Sequence, residues 1–276
     1  MTRTVSPVKP TSFSIGQAVT LPEGATQVQG GSVLAVLDPA AGLLWVGNAG
    51  EPASISFAAE DAVAKDLSDG VVTVSRSGTV FAYSAGSSSL VTIVKEGQTW
   101  RAKTSTIKDF QPSGPLSITA VGDKPVIYDQ PGNTLVLPGG KVRDLAEEHV
   151  TGAVLQDPGD ESSSVLLATD SELVAVSLNG KSVERQPASD AGAKGNPAPP
   201  VFHNGCSYAA WAGSGAFVRT CTDKSRNQAQ TVPTLAEASA ALFRTNRTRI
   251  VLNDVSTGTL WLPDKNMVLV NNWDQI

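Results

Sequence analysis

Ile250-Val251-Leu252-Asn253-Asp254-Val255-Ser256-Thr257-Gly258-Thr259-Leu260-Trp261-Leu262 reads as a short apolar strand, a polar turn of Asp, Ser, Thr and Gly, and a second strand with a large aromatic near its middle. Five earlier stretches repeat the pattern: Val33 to Val46, Thr79 to Val94, Val126 to Leu137, Val165 to Ser177 and Cys206 to Thr220. Each of the six follows another candidate strand, beginning near Thr26, Gly70, Pro115, Thr151, Pro199 and Ser239, so the units recur at intervals of 36 to 48 residues. That matches the ~40–45-residue period of a four-stranded propeller blade.

A fourth strand follows turns at Lys95-Glu96-Gly97-Gln98, Pro138-Gly139-Gly140-Lys141, Leu178-Asn179-Gly180-Lys181 and Pro263-Asp264-Lys265-Asn266. Asn179-Gly180 is the strongest, because a type I′ hairpin needs positive φ at both central residues. Only Asp61 to Leu67 and Leu235 to Ala241 carry enough helical character for a turn. The expectation is an all-β chain: one six-bladed β-propeller of four-stranded antiparallel blades over residues 26–276, or seven blades if residues 4 to 25 add more than one strand. A two-sheet sandwich or a pair of smaller β domains is the alternative. Residues 1–25 form an N-terminal arm, in which Ser12-Phe13-Ser14-Ile15 is placed to pair with a blade edge and help close the ring. Ser189 to Pro200, rich in Gly and Pro, reads as a loop between blades four and five, and Asp157 to Ser162 as an insertion-like turn.

Of the 276 residues 26 are acidic and 21 basic, a net charge of -5, and 41% are hydrophobic, as expected of a folded domain. The longest apolar runs, such as Leu90-Val91-Thr92-Ile93-Val94, are far short of the ~20 residues needed to span a bilayer. No apolar stretch follows Met1-Thr2-Arg3-Thr4, so no signal peptide is read here.

Cys206 and Cys221 are the most informative pair. With Ala212-Gly213-Ser214-Gly215 as the turn, Trp211 faces Ala216 and the two cysteines fall directly opposite one another, within disulfide reach. A bridge there points to an oxidising compartment. His149 and His203 are the only histidines and lie in different units, too few for a Cys/His zinc cluster, and both read as turn residues. There is no G-x-S-x-G elbow or phosphate-binding glycine loop. Asp157, Asp160 and Glu161 do not have EF-hand spacing and read as a solvated turn. No catalytic residue, metal or cofactor is assigned. Trp45 and Trp261 occupy equivalent third-strand places, which argues that the tryptophans, with Trp100, Trp211 and Trp273, pack between blades rather than stack on a glycan. Asn246-Arg247-Thr248 fits the N-glycosylation pattern.

Charge is uneven: residues 201 to 250 hold six basic and two acidic side chains, a local balance of +4 in a chain of net -5. In a four-stranded meander the turn between strands one and two emerges at the same end as that between strands three and four. Lys224 and Arg226 therefore share a face with Arg244, Arg247 and Arg249, and together they form a candidate site for an anionic ligand.

The last blade and tail, Arg249 to Asp254, Gly258 to Leu262 and Val270-Asn271-Asn272-Trp273-Asp274, resemble a recurring element of large actinobacterial cell-surface proteins. So does the cysteine-bearing run His203-Asn204-Gly205-Cys206, Ala210 to Gly215 and Val218-Arg219-Thr220-Cys221. In that group an N-terminal β-propeller precedes an array of Ig-like or fibronectin type III repeats. The resemblance implies an extracellular head module of a membrane-tethered or wall-associated protein. The expected role is non-enzymatic binding of a protein or a glycan or polyanion by a monomer, with no nucleic acid partner and no membrane contact by this domain. The rival expectation is a hydrolase or lyase with its site in the central funnel.

Overall fold

The computed structural model describes residues 3–9, 12, 14–150, 152–189, 192 and 194–270. Every ladder in it is antiparallel, and the chain divides into two compact units, Met1–Val142 and Arg143–Ile276. No helix among the described residues is long and apolar enough to cross a membrane.

The first unit holds three meanders. Thr26–Gly30, Val33–Asp38 and Leu43–Asn48 make a three-stranded sheet. Val71–Val74, Val80–Ser84, Ser89–Glu96 and Thr99–Thr106 make a four-stranded one, as do Leu116–Val121, Lys124–Asp129, Thr134–Leu137 and Lys141–Asp144, the last strand running two residues past the division at Val142. After Asn48 the chain turns at Pro52–Ser54 and Ala59–Asp61 and meets Leu44 by a lone bridge at Ala64. Two tight turns leave too little extended backbone there for a full fourth strand.

Side-chain alternation builds the core. Val33, Ala35 and Leu37 face Val72, Val74, Ala82, Val91 and Ile93 on the second meander. The intervening residues Leu34 and Val36 join Trp45, Leu21 and Ala25 on the opposite side. Val80–Ser84, covered on both faces, is buried at all five positions. The outermost strand Thr99–Thr106 is exposed almost throughout, and its Arg101 and Lys103 discourage pairing with another edge.

The second unit contains Val154–Leu155, Ser164–Ala168, Glu172–Ser177 and Val183–Pro187; then a meander on Cys206–Ala212, Ala216–Cys221 and Gln228–Thr231; then Ala241–Asn246, Arg249–Asp254, Leu260–Leu262 and Val268–Val270. Both Asn196–Pro197 and Val201–His203 pair with Cys206–Ala212. They are two pieces of one inner strand, interrupted because Pro199 and Pro200 have no N–H to give the ladder. The expected register holds: Trp211 pairs Ala216, Cys206 pairs Cys221, and the cysteines form a disulfide.

A repeated turn chemistry explains the recurring sequence pattern. Asp38 closes its strand by accepting from the N–H groups of Ala40 and Ala41, Asp129 from Gly132 and Ser113, and Asp254 from Ser256. These are Asx turns, in which a carboxylate replaces a missing backbone partner. One turn departs from expectation. At Asn179-Gly180 only Gly180 has positive φ, so the hairpin is not type I′; Asn179 instead accepts from the Lys181 N–H through its side chain.

In the arm, Thr4–Val5 pairs Val19–Thr20, and Ser14–Ile15 pairs Val8–Lys9 rather than a blade edge. Phe13 lies outside the described residues. Leu21 donates to the Arg3 carbonyl and is buried beside Leu34, Val36 and Trp45, so the arm's end is tied to the first meander.

Candidate functional site

Of the five candidate cations, Lys224, Arg226 and Arg247 lie in turns, and Arg244 and Arg249 in the two strands that flank the Arg247 turn. Lys224 and Arg226 belong to a 3-10 turn, Lys224–Arg226, between Ala216–Cys221 and Gln228–Thr231. Asp223 opens this turn by accepting from Ser225, and those bonds hold its carboxyl below the usual carboxylate value. Arg244 projects from Ala241–Asn246, Arg247 sits in the next turn at φ 51°, and Arg249 begins the following strand opposite Asn246. All five are exposed. Lys224, Arg226, Arg244 and Arg249 make no direct ion pair among the described residues.

Asn204 joins the two turns. The Arg226 guanidinium donates to its carbonyl at 3.4 Å, and its side-chain amide donates to the Thr248 carbonyl at 3.0 Å. The Asn204 backbone N–H donates to Asp160 Oδ2 at 2.8 Å, drawing in the Asp157–Ser162 loop. Asn204 has φ 49°, a left-handed conformation that asparagine tolerates better than most residues. Arg219 braces the same region, donating to the Arg226 carbonyl at 2.7 Å and the Pro263 carbonyl at 3.1 Å.

Two readings need correction here. His203 is not a turn residue: it ends the strand Val201–His203 and is 1% exposed, with Nδ1 3.0 Å from Asp160 Oδ2 and Nε2 3.0 Å from the Asn204 amide nitrogen. That pattern suits a neutral ring donating from Nδ1 and accepting at Nε2. Asp157 and Asp160 are likewise structural rather than a solvated pair. Burial pushes the Asp157 carboxyl up to about 6, while the Arg244 guanidinium pulls it down. Both errors have one cause, since the partners of Asp160 lie more than 40 residues away in sequence. His149 ends the Ala146–Glu148 turn at φ 52° and is exposed, a turn residue as read.

Trp45, Trp211 and Trp261 are buried and donate their indole N–H groups to Ala58, Thr169 and Thr234. Trp100 is only half-buried, and its N–H has no acceptor among the described residues. Trp273 lies outside the described residues.

The arrangement can hold an anion by several separate cations mounted on rigid turns. Among the described residues no group of three His, Cys, Asp or Glu side chains is gathered as a metal cluster.

No protein-family model matches the chain, and no curated protein matches it. Solved structures do. A catalytically inactive virginiamycin B lyase from Staphylococcus aureus, in complex with quinupristin, superposes with a TM-score of 0.59 at 10% identity, covering 98% of this chain and 88% of that one. Apo AztD from Citrobacter koseri gives 0.57 at 11% identity over 97% and 80%. YCF48 from Cyanidioschyzon merolae gives 0.50 at 12% identity over 86% and 82%. At such identities the likeness is one of fold, the β-propeller.

Proposed function

We propose that this chain is a non-enzymatic propeller-type interaction module that binds an anionic partner through Lys224, Arg226, Arg244, Arg247 and Arg249. The carrying observation is Asn204, whose bonds to Arg226 and Thr248 hold the two cation-bearing turns together. Separate exposed cations on one rigid patch favour a repeating anion, and a phosphate-rich wall polymer has that chemistry. The Cys206–Cys221 disulfide supports a place in an oxidising compartment. On this reading residues 26–276 form one propeller domain, with residues 1–25 as the arm that completes it. The domain is the head of a tethered surface protein with fibronectin type III or Ig-like repeats, as the resemblance implies. The rival reading, a funnel hydrolase or lyase, has only fold likeness behind it.

Long-chain inorganic polyphosphate is a suitable probe. Binding should weaken steeply with salt, and Lys224→Glu with Arg249→Glu should abolish it. These two positions are cleaner than Arg244, whose guanidinium also serves the half-buried Asp157. Unchanged binding in the double variant would dispose of the site.

A further inference from the structure

A groove of about 280 Å³ opens in the Met1–Val142 unit between its first two meanders. Trp100 and Lys95 line it from the outer hairpin of the second meander, and Asn48 from the end of the first. Thr79 comes from the turn before Val80–Ser84, and Val33 and Val94 add apolar surface. Lys95 and Trp100 are cross-strand partners, and the ammonium lies 5.6 Å from the indole centroid.

Several donors here have no partner, beside the Ser32 hydroxyl, which can donate or accept. Trp100 has its unengaged indole N–H, and Lys95 forms no ion pair among the described residues. The Asn48 side-chain oxygen accepts from the Gly50 N–H at 2.9 Å, which fixes the amide so that its NH2 is the free end. Asp123, the carboxylate tied to this wall, accepts from Ser75 and Ser77 and does not line the groove. A donor-rich, cationic groove with an aromatic wall and aliphatic floor is complementary to a ligand with an apolar ring face and an anionic acceptor. The volume is just below the roughly 300–1,000 Å³ typical of small-ligand sites, room for one sugar ring rather than a chain.

We propose that this groove binds a single hexuronate unit, its ring against Trp100 and its carboxylate on Lys95. An exposed ammonium over an indole is held weakly, so Lys95 is free to exchange the ring face for a charge-assisted bond to the carboxylate. This site is independent of the basic turns at Lys224 and Arg249, which belong to the other unit.

The test is titration of the full chain with sodium glucuronate, followed by backbone amide NMR shifts and tryptophan fluorescence, with glucose and inorganic phosphate as controls. Saturable shifts should centre on Asn48, Thr79, Lys95 and Trp100, with glucose and phosphate binding at least roughly tenfold more weakly. Lys95→Gln, at an exposed position that leaves the core intact, should weaken glucuronate about tenfold and leave glucose unchanged. Trp100→Phe should weaken both sugars, and Lys224→Gln neither. Phosphate binding as tightly as glucuronate, shifts centred elsewhere, no saturation, or a Lys95→Gln variant with unaltered affinity would each overturn the proposal.

Discussion

The Tyr208 hydroxyl donates to Asp264 Oδ1 at 2.6 Å, joining residues 56 apart in sequence. It links a fully buried tyrosine of Cys206–Ala212 to the Pro263–Lys265 turn of the next meander. Burial, and then the bond to Asp264, push the phenol far above its usual pKa, so it stays a donor at any physiological pH. Tyr208→Phe removes the donor and leaves a half-buried carboxylate short of a partner. Urea unfolding should show a loss of about 1.5–3 kcal/mol, the range for hydrogen bonds to charged groups. A loss near zero would mean that water replaces the phenol at no cost.

Asp157 gives the protein a pH signature of opposite sense to ordinary acid denaturation. Its folded pKa, about 6, exceeds its ordinary 3.8 because burial disfavours the charged form, despite the pull of Arg244. Such a group binds more protons in the folded than in the unfolded state, so stability falls as pH rises through roughly 4 to 6. Asp157→Asn should flatten that part of the Tm profile and raise Tm at pH 7 relative to the parent. If both proteins trace the same profile, the carboxyl is solvated and this account is wrong.

The disulfide closes a loop whose ends are 15 residues apart and joins two buried cysteines. In the chain-entropy description a loop of that length contributes about 3 kcal/mol by restricting the unfolded state. Cys206→Ala with Cys221→Ala should lower the guanidinium midpoint accordingly, and dithiothreitol should move the parent the same way. Reductant without effect on the parent would show that the bridge does not form in solution.

Much of this was legible because it is local. The Asp-to-Gly turn pattern marks where a carboxylate caps a hairpin, and the cysteine register follows from one turn assignment. Pro199-Pro200 also announces a break, although not that Asn196–Pro197 and Val201–His203 would flank it on one partner strand. What stayed hidden depends on partners distant in sequence. Nothing near His203 says that Asp160 will meet its ring, and nothing near Arg244 says that its charge will act on the Asp157 carboxyl. Trp100 fits the packing expectation only in part. The repeated position of Trp45 and Trp261 identifies fully buried core residues, whereas Trp100, the one position not exposed on an outermost strand, packs against the cluster between the first two meanders and stays half-buried.

Asn204 allows stability and binding to be separated at the basic turns. Asn204→Ala removes the side-chain bonds to Thr248 and His203 and places alanine at φ 49°. Together these should cost about 2 kcal/mol. Asn204→Gly restores the backbone freedom but not the bonds, so it should recover only part of the loss. Neither variant changes any cation. Counterion release ties the salt slope of polyanion binding to the number of charges engaged. Both variants should therefore bind polyphosphate more weakly with the slope of log K against log salt unchanged, whereas Lys224→Glu should reduce the slope itself. Parent-like affinity in Asn204→Ala would show that the two turns bind without being held together, and the role given to Asn204 would fall.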